Sequence, residues 1–237
     1  MNGFVHEPVM LGEILAVFRE MAGGTFVDAT LGGAGHAAAI LAAHANVTLI
    51  GIDQDDTALA AAAERLRESG LGGRVALRRA RFESVGQVVE GEGIDTVVGA
   101  LFDLGVSSPQ LDVAERGFSY RHDAPLDMRM DRRLPSTAAD LLAELPEKEL
   151  ADLIWRYGEE PASRRIARQV VRRRTNDPDA KDGPVRTTRQ LSDAVRAAGV
   201  RGKFGFECLR FFAEDVLTGA DGAQRGFLDL IVDETFR

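Results

Sequence analysis

Three aspartates come at or near the ends of apolar, strand-like runs in the first half of the chain: Asp28, Asp53 and Asp103. The first is followed by a glycine-rich turn, residues 32–35, and then by an alanine-rich run typical of a helix. Glycine allows the backbone to pass close beneath a ligand. Asp53, eighteen residues beyond the last of these glycines, is placed to accept hydrogen bonds from both ribose hydroxyls of an adenosine. The spacing predicts a site for an adenosine-containing cofactor.

Two cofactors are compatible with this turn, S-adenosylmethionine and NAD. Asp28 precedes the glycines, where its carboxylate would attract a cationic ammonium group and repel a pyrophosphate. Ala38 occupies the position of the third glycine in a dinucleotide-binding turn. These two residues favour S-adenosylmethionine over NAD, and a purely structural role for the turn is the remaining alternative.

Asp103 and Ser107 lie in a polar segment that follows the fourth strand-like run. In a parallel sheet this segment would emerge beside the glycine turn, at the edge where ligands bind. An acid followed by small residues and a proline, as in residues 103–109, resembles the corresponding loop of amine-methylating enzymes. An exocyclic amine such as that of cytosine is a weak nucleophile, so a site that alkylates it needs acceptors for its hydrogens and in-line placement. We therefore predict that Asp103 and Ser107 align such an amine and stabilise its developing charge. The alternative for Ser107 is that Ser-Ser-Pro only turns the chain.

The elements that must position these residues follow an alternating pattern of strands and helices. We predict four strands, at residues 25–29, 47–53, 75–79 and 96–103. Each run is short and largely apolar, as expected for strands covered by helices on both faces. The predicted fold class is α/β, with a Rossmann-like methyltransferase sheet that is doubly wound and mostly parallel, and with an inserted helical subdomain.

After about residue 112 the strand pattern gives way to helical periodicity, with helices predicted at residues 138–145, 148–157 and 163–174. In the last of these helices Ile166, Val170 and Val171 face one way. The opposite side carries four arginines: Arg164, Arg165, Arg168 and Arg172. We assign residues 1–112 plus 200–237 to an S-adenosylmethionine-binding methyltransferase domain and residues 113–199 to a helical subdomain for substrate recognition.

Composition limits the remaining functions. The net charge of −8 argues against non-specific coating of nucleic acid, so any RNA contact must be local. The single Cys208 and the four scattered histidines offer no metal-ligand spacing, so no metal is predicted. The chain has neither a signal-like start nor an apolar run of membrane-spanning length. We expect a cytoplasmic protein with no membrane partner.

Longer blocks of unusual sequence extend across most of the chain. They are residues 103–112, Glu115-Arg-Gly-Phe-Ser119, Pro125-Leu-Asp-Met-Arg-Met-Asp131, the opening His6-Glu-Pro-Val-Met-Leu11, the turn at 28–36, and Tyr157-Gly-Glu-Glu160 leading into 164–167. Over roughly residues 4–203 the sequence resembles the bacterial family of 16S ribosomal RNA cytosine-N4-methyltransferases. The resemblance implies S-adenosylmethionine contacts at seven positions: Ala34, Gly35, His36, Asp53, Phe82, Asp103 and Gln110.

The resemblance also implies a substrate, a cytosine in the decoding region of 16S rRNA that is methylated on its N4 amine within the assembled small ribosomal subunit. Its base must leave the stack, and Phe118 or Tyr120 could hold it. Phe82 could pack on the adenine of the donor. Core packing is the alternative for these aromatics. The arginine face of residues 163–174 would contact RNA phosphates, with a solvated helix face as the alternative.

The sequence departs from this family after residue 203. Family members continue with a His-Pro-Ala-Thr-Arg-Thr segment, a fifth strand and further sheet, whereas this chain reads Gly202-Lys-Phe-Gly205 and ends at Arg237. We expect an open edge on the first or fourth strand, which costs stability or is covered by a second copy in a homodimer. Besides methyl transfer, we consider a donor-binding or RNA-binding relative without catalysis. An NAD-linked oxidoreductase is a third function, and it depends only on the glycine turn.

Overall fold

The computed structural model describes residues 8–105, 113–119, 121–174 and 183–200. The chain divides into two compact units, Met1–Ser108 and Pro109–Arg237, and each unit has its own buried apolar side chains. The assignment of residues 200–237 to the methyltransferase domain stays a prediction, because residues 201–237 lie outside the described ranges.

The first unit is built on a parallel four-stranded sheet. Its strands are β1 (Gly24–Asp28), β2 (Val47–Asp53), β3 (Val75–Arg79) and β4 (Gly99–Leu101), in the order β3-β2-β1-β4. Its helices are α1 (Leu11–Val17), α2 (Gly35–Ala43), α3 (Asp56–Glu68) and α4 (Val85–Gly91). This is the Rossmann-like α/β fold class that the sequence predicts.

The two faces of the sheet are covered by different helices. Phe26 and Leu49 pack on one face with Ile40 of α2 and Leu66 of α3. On the other face Val27, Ala29, Ile50 and Ile52 pack against Val85, Val88 and Val89. Successive strand residues point to opposite faces, and the strands are apolar on both sides because both sides are buried. The sheet is therefore doubly wound.

The observed strands match the predicted ones closely, except at the fourth. β2 and β3 have the predicted ends and β1 is shifted by one residue, whereas β4 has only three residues. The Val98 N–H still bonds to the Thr25 carbonyl at 2.8 Å, but ladder pairing begins at Gly99. In the described part of the chain β4 pairs with β1 alone. The open edge expected on the first or fourth strand stays a prediction, because residues 201–237 lie outside the described ranges.

The second unit contains four helices in its described residues. They are α5 (Ala138–Glu144), α6 (Glu147–Gly158), α7 (Ser163–Arg174) and α8 (Thr188–Ala197). Thr137 caps α5 and Thr187 caps α8, each in a reciprocal capping box, which satisfies two of the free N–H groups at a helix start. None of the helices in the described ranges is both long and apolar enough to cross a bilayer.

The Glu115-Arg-Gly-Phe-Ser119 and Pro125-Leu-Asp-Met-Arg-Met-Asp131 blocks hold each other together. The Met128 N–H donates to the Arg116 carbonyl at 2.9 Å, and the Arg116 guanidinium donates to the Arg129 carbonyl at 2.8 Å. Gly117 has a left-handed φ of 75°, and a Cβ there would lie 2.6 Å from the Pro125 carbonyl oxygen. Only glycine satisfies both conditions. These blocks therefore have a structural role in the second unit.

Arg74 joins the end of α2 to the start of β3, and its replacement by alanine should destabilise the first unit. Its guanidinium donates to the carbonyls of Leu41, His44, Ala45 and Val47 at 2.7–3.2 Å. Removing it leaves these carbonyls, which lie at the end of α2 and the start of β2, without their charged donor. We expect the free energy of unfolding to fall by about 2–4 kcal/mol, measured by urea denaturation.

The matched control for that experiment is Arg67→Ala. Arg67 is exposed and its side chain pairs with Glu64 one turn away on the same helix. Exposed pairs of this kind contribute little, so the control should lose less than about 0.5 kcal/mol. Equal losses in the two variants would contradict the role given to Arg74.

Candidate functional site

The parallel register brings three acids to one edge of the first unit. Asp28 ends β1, Asp53 ends β2, and Asp103 follows β4 by two residues. The carboxyl ends of parallel strands share one edge, and the carboxylates of Asp53 and Asp103 are near enough to affect the ionisation of Asp28. The three acids singled out in the sequence therefore lie together.

The glycine turn connects β1 to α2 at this edge. Gly32 and Ala34 both have left-handed backbones, with φ of 50° and 57°. The Ala34 N–H donates to the Leu31 carbonyl at 2.8 Å, and α2 begins at Gly35. A Cβ on Gly35 would lie 2.5 Å from Pro8 Cγ, whereas one on Gly33 would meet nothing within 4 Å. The turn is closely packed at Gly35 and open at Gly33.

Asp53 fixes the turn and still has capacity to bind a ligand. Its Oδ2 accepts the Gly32 N–H at 2.8 Å and its Oδ1 accepts the Asp55 N–H at 2.9 Å. Burial raises the pKa of Asp53 above its usual value, although backbone hydrogen bonds from Asp55, Gly32 and Gln54 oppose the shift. A carboxylate has about four acceptor sites, so the three backbone donors leave capacity for a hydrogen bond from a ribose hydroxyl.

Asp28 is the most deeply buried of the three acids, with 2% of its surface exposed. Its Oδ1 accepts the Thr30 N–H at 3.2 Å. Burial, together with the nearby Asp53 and Asp103 carboxylates, raises the pKa of Asp28 to about 7. A buried carboxylate of this kind is strongly stabilised by a cation.

Asp103 is the exposed member of the group, with 55% of its side-chain surface accessible. Its backbone N–H donates to Thr30 Oγ1 at 2.6 Å. His36 Nδ1 lies 3.8 Å from Asp103 Oδ2, and His36 Nε2 lies 2.8 Å from the Val9 carbonyl oxygen. The carboxylate is thus held by its backbone while its oxygens remain open to a substrate.

Phe82 begins a short 3-10 turn after β3. Its ring contacts the Phe102 ring edge to face, with centroids 6.5 Å apart, and it packs on the apolar cluster that includes Ile52. The side chain is only partly buried. Core packing therefore accounts for part of its surface, and its contact with an adenine stays a prediction.

Three predicted residues lie outside the described ranges: Ser107, Gln110 and Tyr120. Their roles stay predictions. Sequence reasoning missed Thr30 and Val9, which contact Asp103 and His36. The position of Thr30 near Asp103 could have been found, because both residues follow parallel strands by two positions and lie at the same edge of the sheet. No local pattern indicates the carbonyl of Val9.

Donor binding should depend on pH through Asp28. A cationic ligand binds the ionised carboxylate, so below pH 7 the affinity for S-adenosylmethionine should fall by up to about tenfold per pH unit, and binding should release a proton. The raised pKa also means that the folded state holds this proton between about pH 4 and 7. The contribution of Asp28 to stability therefore falls as pH rises through that window.

Calorimetric titration from pH 5.5 to 8.5 measures this dependence. Asp28→Asn, which has no ionisation, should bind more weakly at pH 8 and with little variation across the range. A titration of the unaltered chain in which the affinity does not change between pH 5.5 and 8.5 would contradict the assignment of Asp28 to the ammonium.

A glycine turn with carboxylates at the carboxyl edge of a parallel sheet is typical of α/β proteins that bind a nucleotide-containing ligand. The buried Asp28 ahead of the glycines favours a cationic ligand such as S-adenosylmethionine over a pyrophosphate. A model of the MraW methylase family matches residues 3–203. The chain belongs to that family, and its methyl donor is S-adenosylmethionine.

Similar proteins carry consistent names. Ribosomal RNA small subunit methyltransferase H of Geotalea uraniireducens is 43% identical over 94% of this chain and 72% of its own length. The same protein of Symbiobacterium thermophilum is 44% identical with the same coverage, and that of Thermobifida fusca is 48% identical over 81% of this chain and 57% of its own length. A candidate rRNA-methylase structure from Clostridium thermocellum is 24% identical over 43% of this chain and 54% of that one, with a TM-score of 0.37, and supports no further conclusion.

The described residues fit this donor. Asp53 has acceptor capacity left for a ribose hydroxyl, Asp28 provides a buried negative charge for the ammonium, and the space at Gly33 is open. When bound, the donor supplies a methyl group on a positively charged sulfur. NAD would place a pyrophosphate near the Asp28 carboxylate, which is unfavourable.

In the second unit, the arginine-rich helix α7 separates into two groups of arginines. The predicted face of Arg164, Arg165, Arg168 and Arg172 is exposed. Two further arginines are used inside the unit: Arg173 donates to the Gln190 carbonyl, and Arg174 donates to the Leu142 and Leu145 carbonyls at the end of α5.

Phe118 is 1% exposed, with the Arg116 guanidinium 5.8 Å from its ring centroid, which favours core packing over base stacking.

Proposed function

We propose that this chain transfers the methyl group of S-adenosylmethionine to the exocyclic N4 amine of a cytosine in the decoding region of 16S rRNA. The main supporting observation is Asp103, an exposed carboxylate fixed by its backbone beside the donor turn. Membership of the MraW methylase family and the names of the relatives agree with an RNA substrate of the small ribosomal subunit.

The residues of this chain divide the work between binding and alignment. Ala34, Gly35 and His36 form the start of α2 that faces the donor, and Asp53 accepts hydrogen bonds from its ribose. Phe82 packs on the adenine, and Gln110 adds a polar contact. These roles follow the predicted contacts, with the described geometry as support for all but Gln110.

Alignment of the amine is assigned to Asp103 together with Ser107. The lone pair of a cytosine amine is delocalised into the ring, and hydrogen bonds from its hydrogens to Asp103 return electron density to the nitrogen. In-line placement against the methyl group adds the entropic part of catalysis. The target base must leave its stack to reach this edge.

The substrate assignment is tested by incubating the chain with labelled donor and small ribosomal subunits that lack the methyl group. We expect one label per subunit, located on a cytosine N4 of 16S rRNA by nuclease digestion and mass spectrometry. Free 16S rRNA, offered in parallel, shows whether the assembled subunit is required. No incorporation by a folded chain that binds the donor would favour a donor-binding relative without catalysis.

The exposed face of α7 is proposed to contact RNA phosphates, and its replacement should lower the salt dependence of binding. Each lost phosphate contact reduces the slope of log affinity against log salt by about 0.7–0.9. We expect the double variant Arg164→Ala with Arg168→Ala to reduce the slope by about 1–2 and to leave the affinity for the donor unchanged.

The matched control for this surface is Arg67→Ala with Arg196→Ala. Both residues are exposed and each pairs with an acid three residues away on its own helix. The control should bind subunits with an unaltered slope in filter-binding assays at several salt concentrations. If the control lowered the slope of log affinity against log salt and the Arg164→Ala, Arg168→Ala variant did not, the proposed surface would be contradicted.

Three further expectations complete the proposal. We assign residues 113–199 to substrate recognition, and a small-subunit substrate goes with a cytoplasmic location. A homodimer that covers the β4 edge is the remaining expectation, and its test is the molar mass in solution by light scattering. A monomer at micromolar concentration would contradict it.

A further inference from the structure

His36 occupies a position in which both of its ring nitrogens face oxygen atoms. It is the second residue of α2, and its side chain is buried. Nε2 lies 2.8 Å from the Val9 carbonyl oxygen, and Nδ1 lies 3.8 Å from Oδ2 of Asp103. The ring therefore bridges the segment ahead of α1 and the carboxylate that is assigned to the amine.

The two contacts determine where the ring carries its proton. A backbone carbonyl can only accept a hydrogen bond, so Nε2 must be the protonated nitrogen. In the neutral ring Nδ1 then directs a lone pair toward the Asp103 carboxylate, with no hydrogen between them. The separation of 3.8 Å exceeds the length of an N–H···O hydrogen bond, which agrees with the absence of a hydrogen between the two atoms. Among the described residues no group donates a hydrogen bond to Nδ1, so it can accept a proton next to Asp103.

We propose that His36 receives, through Asp103, the proton that leaves the cytosine amine after methylation, an inference that rests on the proposed function. As the sulfur–carbon bond breaks, its electron pair stays on sulfur and the amine lone pair forms the new nitrogen–carbon bond. N4 then carries a positive charge and two hydrogens. One hydrogen passes as a proton to Asp103, and its N–H bonding pair returns to N4. The exposed Asp103 side chain must then approach Nδ1 to hydrogen-bond distance to pass the proton on.

The surroundings of the ring favour this acceptor. Among the described residues, the charged groups around the turn besides Asp103 are Asp28, Asp53 and Arg65, whose guanidinium donates to the Gly33 carbonyl. The Asp103 carboxylate is the acid next to the ring, and it stabilises a positive charge there once the proton arrives. The imidazolium and Asp103 then form an ion pair, which lasts until product release exposes the pair to water. His36 acts through Asp103 and does not itself touch the cytosine.

The test compares His36→Gln with His36→Ala. Glutamine keeps an N–H that can reach the Val9 carbonyl, but it has no basic nitrogen. Because His36 is also among the proposed donor contacts, the Kd for S-adenosylmethionine of each variant is measured first, and the rates are compared only at saturating donor. Their single-turnover rates on small subunits, at saturating donor, should both fall roughly 10- to 100-fold.

Two kinetic outcomes would overturn the proposal. Wild-type rates in His36→Gln would mean that anchoring Val9 is the whole role of the ring. A raised Kd with an unchanged rate at saturation would mean that the side chain only binds the donor. Absence of methyl transfer by the unaltered chain would contradict the proposed function as well, so the two failures are distinguishable.

A spectroscopic readout is independent of activity. The ¹⁵N spectrum of histidine-labelled protein, with His36 assigned by comparison with His36→Gln, should show the Nε2–H tautomer. The unprotonated Nδ1 resonance should move in Asp103→Asn, whereas the other histidines should not change. A ring protonated on Nδ1 would overturn the proposal whatever the activity of the chain.

Discussion

Replacing Asp103 by alanine is expected to slow methyl transfer to the cytosine amine roughly 100- to 1000-fold at saturating donor. The carboxylate is exposed and its backbone is fixed to Thr30 at 2.6 Å, so it is oriented before the substrate arrives. Alanine removes the acceptor for the amine hydrogens and leaves the loop anchor intact. Single-turnover incorporation of labelled methyl into undermethylated small subunits measures the loss.

Two further variants make this result specific. Asp103→Asn keeps one carbonyl oxygen as an acceptor and should lose less activity than alanine. Asp95→Ala removes an exposed acid from the loop before β4 and should keep the full rate. A rate within about 3-fold of the unaltered chain for Asp103→Ala would mean that another group aligns the amine.

The second large effect is expected on donor affinity. Asp53→Ala should raise the Kd for S-adenosylmethionine by about 100-fold or more, because hydrogen bonds to a charged acceptor contribute about 1.5–3 kcal/mol each. Asp53 also accepts the Gly32 and Asp55 N–H groups, so its loss loosens the glycine turn. Calorimetric titration gives the Kd, and a denaturation curve on the same sample gives the cost in stability.

The matched control for donor affinity is Asp56→Ala. Asp56 lies three residues further along, has 57% of its side chain exposed and lies 3.5 Å from the Arg79 guanidinium. It should leave the Kd within about 2-fold. If Asp53→Ala and Asp56→Ala bound the donor equally well, the ribose would have to be held elsewhere.

Strand positions were predictable because burial on both faces imposes short apolar runs that end at polar residues. β2 is mostly buried and has its predicted ends for this reason, and the position of Asp53 follows from β2. β3 also has its predicted ends, although none of its residues is fully buried. The fourth strand was predicted too long, since an apolar run continues where the ladder does not. The three acids could be placed at one edge because parallel strands align their carboxyl ends.

Contacts between distant parts of the chain could not be predicted in the same way. The contact between His36 and Val9 joins residues 27 apart, and no local periodicity encodes it. Helical periodicity gave the exposed face of α7, but it did not show that Arg173 and Arg174 reach carbonyls inside the unit, since a long flexible side chain can bend away from its helix face. Phe118 was ambiguous because an aromatic ring suits both a core and a stacked base.

The left-handed backbone of Ala34 also affects how strongly the turn binds a ligand. An alanine with a φ of 57° costs about 1–2 kcal/mol relative to glycine in the same conformation, yet it also restricts the turn to fewer shapes when the pocket is empty. Less configurational entropy then remains to be lost when the ligand is bound. Ala34→Gly would relax the backbone and weaken ligand binding at the same time. Alanine at this position therefore lowers folding stability but keeps the turn in its binding conformation before the ligand arrives.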